Sequence, residues 1–357
     1  MAFDIPSPFG SSSAVTGFRP ACRIGQGAAA DGGGLLGAVA SLIGAPQSDP
    51  WVDHLSTVET LQAQAPFLDT CRISLVRDAT SPAVAVDDEL TVDLGFDSAL
   101  KRVFTGKVAQ IDARSRSYDV VLAASSLALA QLRQNASFEQ RTLGDLARLW
   151  AGEASVTPGT IDAGPTYPFL AVDDRRSAWE WLASLGRLAK FRSWVDGDGH
   201  LHCRAAAGAA VRVYHHGQDV LSMSFSERTS QLGEVTMTGE GAAGSQGSQA
   251  WSWLLKSADE MQATSGQGVP KRLYQDGALR NRAAVTDAAA GVSEPVAALR
   301  SIVTVTVPGS ADVGVGSKFT LKDCPDGRGD GDYIVLRLRH QYGKMRGFVS
   351  ELVGARA

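Results

Sequence analysis

Three segments open the repeat that decides the fold: Glu89-Leu90-Thr91-Val92, Val103-Phe104-Thr105-Gly106-Lys107-Val108 and Tyr118-Asp119-Val120-Val121-Leu122. All are rich in the β-branched and aromatic residues that favour strands. A second set lies near the end of the chain: Lys318-Phe319-Thr320-Leu321, Tyr333-Ile334-Val335-Leu336-Arg337-Leu338 and Phe348-Val349-Ser350-Glu351-Leu352. Equivalent positions are 12 and 17 residues apart in the first set and 13 and 16 in the second. The matching spacing predicts a duplicated β domain.

The composition is that of an ordinary globular protein. The chain has 357 residues, enough for two or three domains of about 150 residues. The 34 Lys and Arg against 38 Asp and Glu give a net charge of −4, which argues against a basic nucleic-acid binder. The longest uncharged stretch near the start, between Asp31 and Asp49, is shorter than the roughly 20 residues of a membrane-spanning helix. We expect no specific nucleic-acid binding and no membrane insertion.

The cysteines and the start of the chain indicate where the protein is made. Its four cysteines are widely spaced and form no C-x-x-C pair, so we expect buried free thiols: Cys22, Cys71, Cys203 and Cys324. No Lys or Arg precedes Arg19, so the positively charged start of a signal peptide is missing. We therefore expect synthesis in a cytoplasm.

Between the repeated segments the periodicity changes from strand to helix. Thr142 with Asp145, and Ser177 with Glu180, are spaced as capping boxes, and each pair precedes a helical stripe of Leu and Trp. The stretch Asp196-Gly197-Asp198-Gly199 has the composition of a hairpin turn. The predicted fold class is α+β, mostly β. The predicted divisions are 1–68, an N-terminal arm and loop; 69–125, a first β domain; 126–205, a small α/β domain; and 206–357, a second β domain with an insertion at 241–300 that contains a helix around 295–300.

Candidate metal and cofactor motifs are incomplete. In His200-Leu201-His202-Cys203 the cysteine points to the opposite strand face from both histidines, so the set does not close around zinc. Gly32-Gly33-Gly34-Leu35-Leu36-Gly37 matches the dinucleotide pattern but lacks the preceding buried strand. The acidic run Asp323, Asp326, Asp330 and Asp332 favours a turn, with calcium binding as the alternative. We predict no metal and no cofactor.

No catalytic set stands out, so we predict that the protein is not an enzyme. The acidic pairs Asp87/Asp88 and Asp173/Asp174 are adjacent in sequence, and such side chains diverge on an extended chain. The helical tryptophans are expected in the core: Trp150, Trp179 and Trp181. Trp251 and Trp253 lie in the polar insertion and are the candidate interface residues.

In their order along the chain, four of these segments resemble the late control D, or baseplate hub, family of contractile-tailed phages and related injection systems. They are the strand pair ending in Phe104–Val108, the helix Arg141–Leu149, the helix and hairpin of Ser177–Arg204, and the closing strands with Val335 and His340 five residues apart. The resemblance covers about residues 69–240 and 300–355. The insertion 241–300 has no counterpart in it.

The resemblance implies two tube-like β-barrel domains per chain and a homotrimer whose six similar domains form a ring. Such a ring adapts a sixfold tail tube to a threefold central spike. The implied partners are the tail tube protein, a separate spike protein, baseplate wedge proteins and the tape measure protein. The implied location is the virion tail or baseplate, or an extracellular injection particle, assembled in the bacterial cytoplasm.

Two other functions stay open at this stage. One is a β-rich, tail-associated cell-wall hydrolase, which requires two carboxylates facing a cleft. The other is a carbohydrate-binding module that uses Trp251 and Trp253.

Overall fold

The computed structural model describes residues 19–26, 49–205, 210–229, 232–240 and 261–357, without the side chains of 295–297. The strands are β1 (Pro20–Gln26), β2 (Leu55–Ala63), β3 (Thr70–Val76), β4 (Glu89–Phe96), β5 (Ala99–Ala113), β6 (Ser117–Ala123), β7 (Ala136–Thr142), β8 (Pro158–Ile161), β9 (Thr166–Val172), β10 (Phe191–Val195), β11 (Leu201–Ala205), β12 (Ala210–His215), β13 (Ser222–Glu227), β14 (Glu234–Gly239), β15 (Gln262–Gly266), β16 (Lys271–Asp276), β17 (Ser301–Pro308), β18 (Lys318–Lys322), β19 (Gly331–Gly343) and β20 (Gly347–Arg356). The α-helices are α1 (Pro50–His54), α2 (Ser126–Gln131), α3 (Leu143–Glu153), α4 (Ala178–Leu188) and α5 (Arg282–Ala298).

Twelve strands form one sheet that consists of two similar halves. The first β unit (β1–β6) has the strand order β1-β4-β5-β6-β3-β2. The second β unit (β12, β13 and β17–β20) has the order β12-β18-β19-β20-β17-β13. From β4 to β2 and from β18 to β13 all neighbours are antiparallel and follow the same succession. The repeated segments of the sequence are β4–β6 and β18–β20, so the predicted duplication is confirmed in the strand order.

The outermost strands distinguish the two halves. β1 runs antiparallel to β4, whereas β12 runs parallel to β18. β1 lies within the predicted N-terminal arm and pairs with β4 from Pro20 with Phe96 to Gln26 with Leu90.

The prediction of loop structure up to residue 68 was wrong for residues 55–63, which form β2. This strand pairs with β3 on one side and with the second half of β19 on the other, and so joins the two β units. Two of its inward positions are polar, because Thr60 and Gln62 are buried. Polar residues on the inner face hide the alternation that marks a strand in sequence.

The segment 126–205 forms the helical unit, as its local signals predict. Both capping boxes are present, with Thr142 and Ser177 accepting from the backbone N–H of Asp145 and Glu180. Trp150 and Trp179 are fully buried in a core shared with the first β unit, and Trp181 is half-buried. The hairpin at Asp196 joins β10 to β11. None of the described helices is long and apolar enough to cross a membrane.

Residues 232–240 and 261–298 form a separate small unit, which corrects two predictions. β14, expected in the second β domain, pairs instead with β15 and β16 from inside the predicted insertion. The helix expected at 295–300 begins at Arg282. Its buried stripe consists of small residues with helical spacing, which resemble a loop in sequence: Val285, Ala288, Ala289 and Val292.

Gly106 lies in a regularly paired part of β5. The register shifts lie on either side of it, opposite Val92/Asp93 and at Val108/Gln110. A Cβ at Gly106 would lie 2.5 Å from the carbonyl oxygen of Ala123. Glycine is required here by the close approach of β6.

Candidate assembly surface

The two β units meet at a buried polar junction around His340 of β19. The Ser350 hydroxyl lies 2.8 Å from His340 Nδ1 and accepts from the backbone N–H of Ser310 at 2.9 Å. The Tyr214 hydroxyl donates to Ser310 Oγ at 2.8 Å. The Ser310 hydroxyl in turn donates to Asp312 at 3.1 Å. Burial lowers the pKa of His340 to about 4, so the ring is neutral at pH 7. The network connects β12, β19, β20 and the loop after β17.

A small polar cavity of about 130 Å³ opens beside this junction, where both β units and the helical unit meet. The polar side chains that line it are Gln62, Arg102, Trp194, Asp196, Asp312 and His340. Every part of the chain that meets here contributes a charged or hydrogen-bonding group, so the relative position of the three units is specified by directional contacts as well as by apolar packing.

An ion cluster around the buried carboxylate of Asp93 attaches β1 to β4. The Asp93 carboxylate accepts from Arg23 Nε and Nη2 at 2.9 and 2.7 Å and also pairs with Arg102. Burial raises the pKa of Asp93, but the two guanidinium groups outweigh it and leave the pKa below its usual value. The strand at this edge is therefore held by two charge-assisted hydrogen bonds from Arg23 to one oxygen of Asp93.

In the twelve-stranded sheet, three strands leave a backbone edge unpaired within the described part of the chain. β1, β12 and β13 each have one neighbouring strand, namely β4, β18 and β17. Exposed apolar side chains lie on or beside two of these edges: Val211, Val213 and Leu221. An unpaired edge with apolar residues is a place where another chain can add a strand or pack. We call the edges of β12 and β13 the assembly edges.

The hairpin between β19 and β20 presents a second exposed feature. Met345 at its tip is 99% exposed and is flanked by Lys344 and Arg346. Lys344 Nζ donates to the carbonyl of Asp53 at 2.9 Å, which anchors the hairpin to α1. The tip therefore projects from a fixed base.

The structure places His202 and Cys203, two members of the incomplete zinc motif, in other contacts. His202 accepts from the Thr160 N–H at Nδ1 (3.0 Å), donates from Nε2 to Asp196 (2.8 Å), and stacks on Trp194. Cys203 is fully buried, and burial raises the pKa of its thiol to about 11. The contacts of His202 and the burial of Cys203 stabilise the helical unit.

A different set, with Asp196, Asp198 and His200, places its ligand atoms within 4.8 Å of one another. Asp196 Oδ1, however, accepts from the backbone N–H of Asp198 and of His200. The carboxylate closes the hairpin turn.

The acidic run after β18 forms a turn, as predicted. Asp330 accepts from the Cys324 N–H at 2.8 Å and Asp332 from the Thr320 hydroxyl at 2.6 Å. Asp323 pairs with His215 at 2.6 Å. The carboxylates hold the loop on the second β unit.

The adjacent acidic pairs also serve loops. Asp88 accepts from the Ala85 N–H at 2.8 Å, and Asp173 pairs with Arg175.

The four cysteines are buried and unpaired, as expected. Trp251, Trp253 and the glycine motif at 32–37 lie outside the described residues, so the interface role of the two tryptophans stays a prediction.

Sequence reasoning missed the assembly edges and most of the polar junction. Only His340 carried a signal, as part of the pattern that began at Val335, and its burial was not foreseen. Ser350, which contacts His340, is a common residue type, and Ser310 and Tyr214 lie farther away in sequence, so no local motif marks the junction.

No protein-family model matches the chain, and no curated protein matches it in sequence. Solved structures do match. The 43 kDa tail protein of prophage MuSo2 from Shewanella oneidensis has a TM-score of 0.66 at 11% identity, over 85% of this chain and 94% of that one. A tail protein from Neisseria meningitidis MC58 has a TM-score of 0.62 at 14% identity, over 85% and 92%.

A component of the Escherichia coli type VI secretion system, described as structurally similar to the T4 tail proteins gp27 and gp5, has a TM-score of 0.56 at 11% identity, over 85% and 74%. These three structures match most of the described chain at low identity. The chain therefore has the fold of phage tail and type VI secretion proteins.

Proposed function

We propose that this protein is a structural hub of a phage tail or a related contractile injection system, of the late control D type. In this role three copies form a ring that adapts a sixfold tail tube to a threefold spike. The observation that carries the proposal is the common strand order of the two β units, because three chains with two similar units each present six similar surfaces. The shared fold with tail proteins supports it.

The assembly edges suggest how neighbouring copies meet. Val211 and Val213 of β12 and Leu221 before β13 are apolar and 41–61% exposed. In a ring, such edges are covered by the next copy, which removes both the unpaired backbone groups and the apolar surface from water. The proposed further partners are the tail tube protein, a separate spike protein, baseplate wedge proteins and the tape measure protein, in a virion tail or injection particle.

The mass of the purified protein in solution, measured by light scattering with and without its candidate spike protein, tests this proposal. We expect three times 37.5 kDa, either alone or once the spike is added. The double variant Val211→Lys/Val213→Lys should lower the mass toward that of one chain, because it places charges on an edge meant to be covered. Val269→Lys, at a site 82% exposed outside both β units, is the matched control. A monomer under both conditions contradicts the ring.

The non-enzymatic role has its own test. The proposed hub acts through binding surfaces, and we expect purified protein to leave cell-wall preparations undigested. Release of soluble fragments by the protein, and its loss on substitution of a carboxylate pair, would favour the hydrolase instead.

A further inference from the structure

A cleft of about 900 Å³ lies where four parts of the fold meet. Its walls are the exposed side of α4 with the start of β10, the end of α5, the segment after β2, and the ends of β19 and β20. No residue named so far as part of the assembly edges or of the polar junction lines it. It is therefore a separate surface.

The side chains in this cleft are strongly cationic, although the whole chain is acidic. Four cations line it, Arg187, Lys190, Arg192 and Arg356, against one carboxylate side chain, that of Glu294. Lys190 and Glu294 pair with each other at 2.8 Å. Within the described residues, none of the three arginines has an ion-pair partner, so they present net positive charge to an occupant.

Arg192 is the most informative of the three arginines. Its Nη1 donates to the Gln64 side-chain oxygen at 2.8 Å, and the Gln64 amide donates to the carbonyl of Val335 at 3.1 Å. A neutral amide thus holds the guanidinium in place. Burial lowers the pKa of Arg192, with no nearby carboxylate to offset it. A partly buried guanidinium without a counter-ion gains most from an external carboxylate.

Apolar surface separates the charges. Pro66, Phe191 and Ile334 line the cleft together with several alanines. A binding site for nucleic acid is expected to offer several aromatic stacking surfaces, but Phe191 is the one aromatic side chain in this lining. Small apolar side chains that alternate with acidic ones match both the apolar surface and the arginines.

We propose that this cleft binds an extended acidic peptide segment of a partner protein, with carboxylates on Arg187, Arg192 and Arg356 and small apolar side chains against Phe191 and Pro66. The occupant would contact the helical unit, the small unit with α5 and the second β unit at once. Binding would therefore fix these units relative to one another as well as attach the partner. The inference does not depend on the formation of a ring.

Fluorescence anisotropy with the full chain and a labelled peptide of alternating Glu and Ala tests the proposal. We expect binding at low ionic strength that weakens at about 0.15 M salt. The double variant Arg187→Glu/Arg356→Glu should weaken binding by at least about tenfold. Arg346→Glu, on the exposed tip between β19 and β20, is the matched control and should bind like the wild type. Circular dichroism checks that every variant is folded.

Two comparisons make the result decisive. A peptide of alternating Gln and Ala should not bind, because it lacks carboxylates. Absence of binding by the Glu peptide, or equal loss with the Arg346 control, overturns the proposal. An oligothymidylate that binds more tightly than the Glu peptide, and loses affinity in the same double variant, also overturns it in favour of a phosphate site. None of these results depends on the mass of the assembly, so they are independent of the hub proposal.

Discussion

Asp69 is a buried carboxyl at the start of β3. Its Oδ1 accepts from the Ala63 N–H at 2.7 Å, and its side chain is almost completely excluded from solvent. Burial raises the pKa of Asp69 to about 7, and the hydrogen bonds with Ala63 and Ser126 offset this only in part. An aspartate with a raised folded-state pKa binds a proton that the unfolded chain, near 3.9, has released. Its contribution to stability is therefore lost as the pH rises from about 4 through 7.

Asp69→Asn keeps an acceptor for Ala63 and removes the ionisation. We expect the variant to be more stable than the wild type at pH 8 by roughly 4 kcal/mol, with a smaller difference of roughly 1.5 kcal/mol at pH 5. Urea unfolding at the two pH values measures this. Asp174→Asn, on an exposed loop, should show no such dependence. An equal effect at both pH values would mean that Asp69 is already ionised in the folded protein.

His340 has the opposite pH dependence. Its folded-state pKa is lowered to about 4 by burial, so the unfolded chain, near 6.5, binds the proton first as the pH falls. Stability is lost between about pH 6.5 and 4. In the Asp69→Asn background, where the competing titration is absent, His340→Gln should remove most of this loss, on the order of 2 kcal/mol. Urea unfolding at pH 7 and 4.5 tests it, with His200→Gln on the exposed hairpin as control. If the His340 variant loses as much unfolding free energy between pH 7 and 4.5 as its Asp69→Asn parent, the lowered pKa of His340 is contradicted.

At the scale of single elements, two glycines with the same substitution should respond in opposite directions. Gly106 of β5 faces the Ala123 carbonyl, 2.5 Å from where a Cβ would lie. Gly152 lies in the last turn of α3 with nothing within 4 Å. Gly106→Ala should destabilise by about 1–3 kcal/mol, because the β5–β6 pairing must shift. Gly152→Ala should stabilise by up to about 1 kcal/mol through helix propensity. Thermal unfolding measures both substitutions. If Gly106→Ala leaves the stability unchanged, β6 can shift to make room for the Cβ without loss of stability.

At the scale of the whole molecule, β19 determines how the parts cooperate. Its first residues pair with β18 and its last with β2, so no break separates the two β units in the sheet. Phe96 of the first unit also packs on Phe348 of the second, with ring centroids 5.7 Å apart. Two units that share a strand and a polar junction are expected to unfold together.

Urea unfolding followed by two probes tests this cooperativity. The described tryptophans lie in the first β unit, the helical unit and the junction: Trp51, Trp150, Trp179, Trp181 and Trp194. Circular dichroism in the far ultraviolet reports all the strands. We expect the two transitions to coincide. A second β unit that unfolds first would appear as a dichroism change that precedes most of the fluorescence change, because Trp194 alone among the described tryptophans packs on the core of that unit.

Local sequence patterns predict the elements that depend on near neighbours. The strands β4–β6 and β18–β20, the capped helices α3 and α4 and the hairpin at Asp196 all follow from alternation, helical spacing or turn chemistry within about a dozen residues. The duplication was visible for the same reason, since it repeats local patterns at equal spacing.

Features that depend on distant partners became visible only in the folded chain. β2 has polar residues at inward positions, and its place became clear only from its pairing with β19, more than 270 residues away. α5 has a small-residue stripe that becomes a core only against β14. The cationic cleft gathers arginines from α4, β10 and β20, each of which is an ordinary surface residue in sequence. Residues that meet across a fold leave no local pattern, because the chain between them is free to vary.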